Sequence, residues 1–115
     1  MYLNLRFFPP RIFGKTIRNE ETIIGGAFVV GFRKEGGIGA IFLAPDYQGQ
    51  GFGRQTMLEI ERMYPKVKKW KLDTPSESFG LHKFYENLGY VKTGEIEDPK
   101  SDMKGFVYKK NGLMK

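Results

Sequence analysis

The sequence predicts an α/β domain built on a mixed β-sheet, with its elements in the order β-β-β-α-β-α-β-β. Three observations carry this. β-Branched and aromatic residues flank the polar run Asn19-Glu20-Glu21; the apolar run Ile38 to Leu43 leads through a glycine-rich loop into helical spacing; and Trp70, Leu72 and Thr74 alternate before a second helical period. The 115 residues fit one domain with a real core, so 1–115 is read as a single unit with 1–14 as an arm or partial element.

Along the chain, the first thirteen residues hold Pro9-Pro10 and several aromatics without a clean period. Lys15 to Arg18 and Thr22 to Phe32 read as two strands joined by a tight turn, and Arg33 to Gly37 as a second turn. Ile38 to Leu43, stopped by Pro45, reads as a strand buried on both faces. Met57, Ile60 and Tyr64 then recur at helical spacing until Pro65 closes the segment. The strand–helix–strand from Ile38 to Thr74 predicts a parallel crossover. Thr74-Pro75-Ser76-Glu77 carries a capping signal for the next helix, whose predicted buried face is Leu81, Phe84, Tyr85 and Leu88 and whose terminator is Gly89. Strands at Tyr90 to Ile96 and Gly105 to Lys110 complete the sheet.

Composition narrows the chemistry. Without cysteine there is no thiol catalysis and no thiolate metal site, and a single histidine, His82, does not make a zinc cluster, so no metal is expected. His82 reads as a surface residue. Nothing approaches the roughly 18 apolar residues of a membrane span, and the N-terminus lacks the pattern of a signal peptide, so the expectation is a cytoplasmic protein with no membrane partner. Nineteen basic against thirteen acidic residues give +6, favouring an anionic partner. The cluster Lys66, Lys68, Lys69 and Lys71 reads as a solvated edge, and nucleic acid is not the expected partner because the aromatics follow apolar periods rather than interleaving with lysine and arginine.

The stretch DYQGQGFGRQ, Asp46 to Gln55, puts glycine at 49, 51 and 53, directly before a helix. Helix interiors disfavour glycine, so its repeated use points to a ligand that comes close to the backbone. Arg54 breaks the dinucleotide fingerprint counted from Gly49, and no lysine stands at the P-loop spacing. The remaining physics is general: amides at a helix N-terminus lack intrahelical partners, point outward and lie at the positive end of the dipole. An anion such as a pyrophosphate suits them.

Gln48-Gly49-Gln50-Gly51-Phe52-Gly53 resembles the Q/R-x-x-G-x-G/A loop of the GCN5-related N-acetyltransferases, and Phe84-Tyr85-Glu86-Asn87-Leu88-Gly89-Tyr90 is similar to that family's F-Y-x-x-x-G-F/Y segment. The two matches together cover roughly Lys15 to Ile96. The resemblance implies an acyl-CoA N-acyltransferase fold and an enzyme that moves an acetyl group from acetyl-CoA to a primary amine. It also implies a set of binding residues: Phe42 and Leu43 on the splayed central strand for the pantetheine arm, and the amides of Gln48, Gly49, Gln50, Gly51, Phe52, Gly53 and Arg54 for the pyrophosphate. Tyr85 would lie near the sulfur and protonate the departing thiolate, a task for which a phenol of ordinary pKa about 10 is correctly protonated. On residues alone, Tyr85 equally suits a half-buried core position.

This chain also departs from the family pattern. Ser78 stands seven residues before the tyrosine, where asparagine is frequent, and is taken as a weaker cofactor contact. Gly37 stands where many members carry a glutamate base, which leaves Glu35, Asp46 and Asp73 as candidates. The family begins with a strand and two helices that wall the acceptor pocket, more than thirteen residues supply. A shortened member, or a site completed by another subunit, is expected, and with it a homodimer through the N-terminal arm. An acyl-CoA-binding module with weak turnover is the alternative.

Overall fold

The structure, a computed structural model, describes residues 2–8, 12–31 and 34–113. Seven strands form a single sheet: β1 (Tyr2–Phe8), β2 (Ile12–Asn19), β3 (Thr22–Gly31), β4 (Glu35–Leu43), β5 (Lys69–Pro75), β6 (Val91–Glu97) and β7 (Lys104–Asn111). Two helices interrupt them, α1 (Phe52–Met63) between β4 and β5 and α2 (Phe79–Asn87) between β5 and β6. The predicted order holds from β2 onward. One strand is added in front: the segment read as an arm contains β1, paired antiparallel with β2 along its whole length. Partner strands, rather than a period of its own, make it a strand.

The spatial order is β1-β2-β3-β4-β5-β7-β6. β4 and β5 are the parallel pair, as the crossover requires, and β7 inserts antiparallel between β5 and β6. The β2–β3 turn places Glu20 at φ 57, a left-handed residue inside the predicted Asn19-Glu20-Glu21 turn. β4 carries one extra residue against β3, since Phe28 pairs with Ala40 and Val29 with Ile38, so Gly39 is bulged out. Glu35 to Gly37, read as part of the turn Arg33 to Gly37, already belong to β4; Phe32 and Arg33 lie outside the described residues.

Both helices cover one face of the sheet. Met57 and Ile60 of α1 and Tyr85 of α2 join Ala27, Val29, Ile38, Trp70, Leu72 and Tyr108 from the strands in one buried cluster. β5 supplies its share by alternation, with Trp70, Leu72 and Thr74 buried and Lys69, Lys71 and Asp73 exposed. Burying one such large apolar side chain contributes about 1.5–3 kcal/mol. Polar ties fix the helices onto this face: the Tyr108 hydroxyl donates to Glu86 Oε2 at 2.8 Å, and Lys110 Nζ lies 2.9 Å from Glu61 Oε1.

Three local expectations are corrected by tertiary context. The capping signal at Thr74-Pro75-Ser76-Glu77 does not start a helix, because pairing of Thr74 with Phe106 and of Pro75 with Gly105 draws that segment into β5. α2 begins four residues later with Ser78 at its N-cap, and no side-chain cap bond forms. Leu81, expected on the buried face, is 42% exposed, whereas His82, expected at the surface, is buried. The His82 ring stacks on Phe106 with centroids 4.8 Å apart, and Nε2 lies 2.9 Å from the Pro75 carbonyl oxygen, so it is the sheet beneath α2 that selects the inward face.

Candidate functional site

β4 and β5 part company in mid-strand. Their pairing covers Glu35 to Ile38 against Lys69 to Leu72 and then stops, while β4 continues to Leu43 against β3 and β5 continues to Pro75 against β7. The edge of β4 from Gly39 to Leu43 that would have faced β5 is left open. A cavity of about 620 Å³ lies beside this part of β4, lined by Ile41, Phe42 and Leu43 of β4, the glycine loop with Arg54, and Leu81 and Phe84 of α2.

The glycine loop follows from its backbone angles. A short 3-10 turn at Pro45–Tyr47 reverses the chain after β4. Gly49 and Gly51 then take φ of 73 and 88, the left-handed region where a Cβ is strained, although a Cβ at either would meet no atom within 4 Å. Those two glycines answer to conformation, and the third answers to packing. A Cβ on Gly53 would come 3.2 Å from the Phe84 ring, so the bare backbone there lets α1 approach α2. Two side chains pin the loop from behind, as Gln48 Nε2 donates to Leu43 O at 3.0 Å and Gln50 Nε2 to Asp46 O at 2.6 Å.

Gly51 is the N-cap of α1, and the helix's own bonding starts with the Gln55 amide donating to Gly51 O at 3.0 Å. The first-turn amides therefore have no intrahelical acceptor. The first turn carries no acidic residue and no side-chain cap, so nothing in it offsets the positive end of the dipole. The loop mouth can receive an anion, and the apolar walls behind it can receive an uncharged chain.

Of the residues singled out in the sequence, Phe42, Leu43, Gln48, Gly49, Gly51, Gly53 and Arg54 line this one cavity. Gln50, Phe52, Ser78 and Tyr85 are not among its lining residues: Gln50 turns back to Asp46, Phe52 meets the Tyr47 ring edge-on at 5.8 Å, and Ser78 stands at the N-cap position of α2. Tyr85 is only 6% exposed, belongs to the core cluster and contacts Phe84 and Tyr90 edge-to-face at 5.1 and 5.8 Å. Burial raises its phenol above the usual 10. Glu35, Asp46 and Asp73 are exposed and line no part of the cavity. The lining residues that the sequence reading had not assigned to the site are Ile41, Leu81 and Phe84. Phe84 was legible as the residue before Tyr85; Leu81 carried no signal that separates cavity wall from core. Among the described residues no group of three or more potential ligands could hold a metal, and no helix is long and apolar enough to cross a membrane.

This fold and this loop have known relatives. The sequence profile of the Acetyltransferase (GNAT) domain matches residues 14–92, most of the chain, and the protein belongs to that family of acetyltransferases. Among solved structures, the ribosomal-protein-S18-alanine N-acetyltransferase from Escherichia coli superposes with a TM-score of 0.78 at 18% identity, covering 91% of this chain and 72% of that one. A GNAT family acetyltransferase from Elizabethkingia anophelis, determined with acetyl-CoA bound, gives 0.77 at 17% identity over 88% of this chain and 76% of its own. A GNAT-family protein from Desulfovibrio desulfuricans gives 0.78 at 15% identity, over 88% and 69%. At these identities the likeness establishes the fold. No curated protein matches the sequence significantly.

Proposed function

We propose that the protein transfers the acetyl group of acetyl-CoA to a primary amine. The observation that carries this reading is the conjunction, in one cavity, of an open strand edge at Gly39 to Leu43 with a helix N-terminus whose loop holds two left-handed glycines. Acetyl-CoA combines the two features that such a cavity complements: an extended amide-bearing arm and a pyrophosphate. Leu43 and Phe42 would hold the arm, and the amides from Gln48 to Arg54 the pyrophosphate, with the exposed Arg54 side chain adding a charged contact. The ligand-bound state of the Elizabethkingia anophelis protein, similar in fold, supports the choice of cosubstrate.

In this reading the amine nitrogen attacks the thioester carbonyl carbon, the carbon–sulfur bond breaks as the Tyr85 hydroxyl gives its proton to the sulfur, and the proton lost by the nitrogen passes to solvent, from which the phenolate is reprotonated. A phenol raised by burial stays protonated at neutral pH and can donate. Position and a donated proton supply most of what the step needs. Ser78, at the N-cap of α2, would contact the cofactor from the start of that helix. The cytoplasm remains the expected compartment. A homodimer through the N-terminal segment belongs to the same reading, since β1 is an edge strand with one side unpaired within the chain.

The second reading, an acyl-CoA-binding module with little turnover, is favoured by one observation: none of Glu35, Asp46 and Asp73 reaches the cavity as a base. Measuring CoA release over a panel of small amines and lysine peptides separates the two. Release with any amine supports the enzyme; a thermal shift with acetyl-CoA but no release across the panel supports the module; neither effect overturns both.

A further inference from the structure

On the sheet face opposite the helices, one register row crosses five strands. Val30 pairs with Gly37, Gly37 with Lys71, Lys71 with Lys109, and Lys109 with Val91. The neighbouring row of Val29, Ile38, Leu72 and Tyr108 is buried under the helices, so the side chains one residue along point to the other side. Gly37 leaves the middle of the row bare; the nearest atom to a Cβ there would be that of Val30, at 3.6 Å. The result is a shallow trough across β4, with Val30 on one bank, the two lysines on the other, and Val91 beyond them, exposed. Lys69, two residues before Lys71 and exposed on the same face, adds a third ammonium.

Lys71 and Lys109 stand directly opposite each other across two strands, a like-charge pair that costs stability. Glu35 is in register with Lys69 and Asp73 follows Lys71 on the same face, yet among the described residues none of these lysines forms an ion pair. Lys71 and Lys109 thus face each other as a like-charge pair that folding does not need, with the Glu35 and Asp73 carboxylates beside them rather than bonded to them.

We propose that this trough is a docking surface for an acidic, amphipathic protein segment, an interaction separate from the transfer chemistry. Carboxylates opposite Lys69, Lys71 and Lys109 would relieve the repulsion, and the valines at the two banks offer contacts to the apolar side of such a segment. A nucleic acid would use aromatic rings set among the lysines for stacking, and this row contains none. A second copy of the chain would oppose the same lysines to themselves in a protein of net charge +6.

The test titrates a labelled helical peptide of glutamate and leucine, with one leucine face, into the full chain. Wild type binds it, more weakly as salt rises. Lys71→Glu and Lys109→Glu each reduce the affinity at least about tenfold, while Tm holds or rises because each single reversal turns a repelling pair into an attracting one. Lys66→Glu, outside the row, leaves the affinity unchanged. Should a reversal variant fail to fold, Lys71→Ala takes its place with the same expected loss. Absence of peptide binding, or equal binding by the reversal variants, overturns the proposal. Tighter binding of an oligothymidylate overturns it in favour of nucleic acid, and a concentration-dependent dimer abolished by Lys71→Glu overturns it in favour of a second copy.

Discussion

Ile38 and Leu72 form the last Cα pair between β4 and β5. One residue further, Gly39 is bulged against β3, and the two parallel strands separate. Local bulging bends a strand and increases its twist, so the split begins where the extra residue sits. The open strand edge and the cavity along it follow from that parting.

Gly51→Val tests the loop. At φ 88 a β-branched residue is strained, and the cost expected is about 1–3 kcal/mol of stability. Acetyl-CoA should raise the wild-type Tm in proportion to ln(1 + [L]/Kd), and the variant should lose that rise. A variant that folds and keeps the full ligand shift would remove this loop from the binding reading. Gly53→Ala should be milder, because its φ is not left-handed and its Cβ meets side chains alone, the Phe84 ring at 3.2 Å and Leu43 Cδ1 at 3.9 Å.

Tyr85→Phe keeps the ring that packs against Phe84 and Tyr90 and removes the hydroxyl alone. Turnover with a competent amine should fall by about tenfold or more, with CoA affinity and Tm little changed. Since burial raises the phenol above 10, the wild-type rate should show no loss of this acid below that pH. Full turnover by the variant would leave Tyr85 as a packing residue.

Lys15 is 3% exposed, and among the described residues its ammonium has no hydrogen-bond partner, lying 5.2 Å from the centre of the Tyr64 ring. Desolvation lowers its pKa below 10.5 in the folded state. The unfolded chain therefore binds more protons between the lowered folded value and 10.5, so this group makes stability rise with pH across that window. Below the folded value it is charged in both states and its burial cost is felt in full. Lys15→Met should stabilise the protein at neutral pH by about 1 kcal/mol and flatten the alkaline rise, both readable from urea midpoints across pH. A destabilised variant would mean that the stacking on Tyr64 outweighs the desolvation.

β1 is an edge strand, and its free side is a template for a second copy. Light scattering at high micromolar concentration should give twice the 13.2 kDa chain mass, and a proline placed at Asn4 should return the monomer. A wild-type species of 13.2 kDa would end the dimer reading.

Local sequence was enough where the signal depends on near neighbours. Alternation at Trp70, Leu72 and Thr74, the helical spacing of Met57 and Ile60, and the Asn19-Glu20-Glu21 turn each report a period or a turn that a few consecutive residues fix, and the structure follows them. The three-glycine loop was legible for the same reason: φ above zero and a helix N-terminus are local properties, and both are there at Gly51. Tertiary structure decided what rests on partners distant in sequence. β1 is a strand because β2 pairs with it, Thr74 and Pro75 leave their capping signal for the ladder with β7, and His82 rather than Leu81 turns inward because Phe106 lies beneath it. The insertion of β7 between β5 and β6 brings Lys109 opposite Lys71 from 38 positions away, a proximity no periodicity encodes. Period and turn chemistry choose the elements, while burial of one shared face chooses their neighbours.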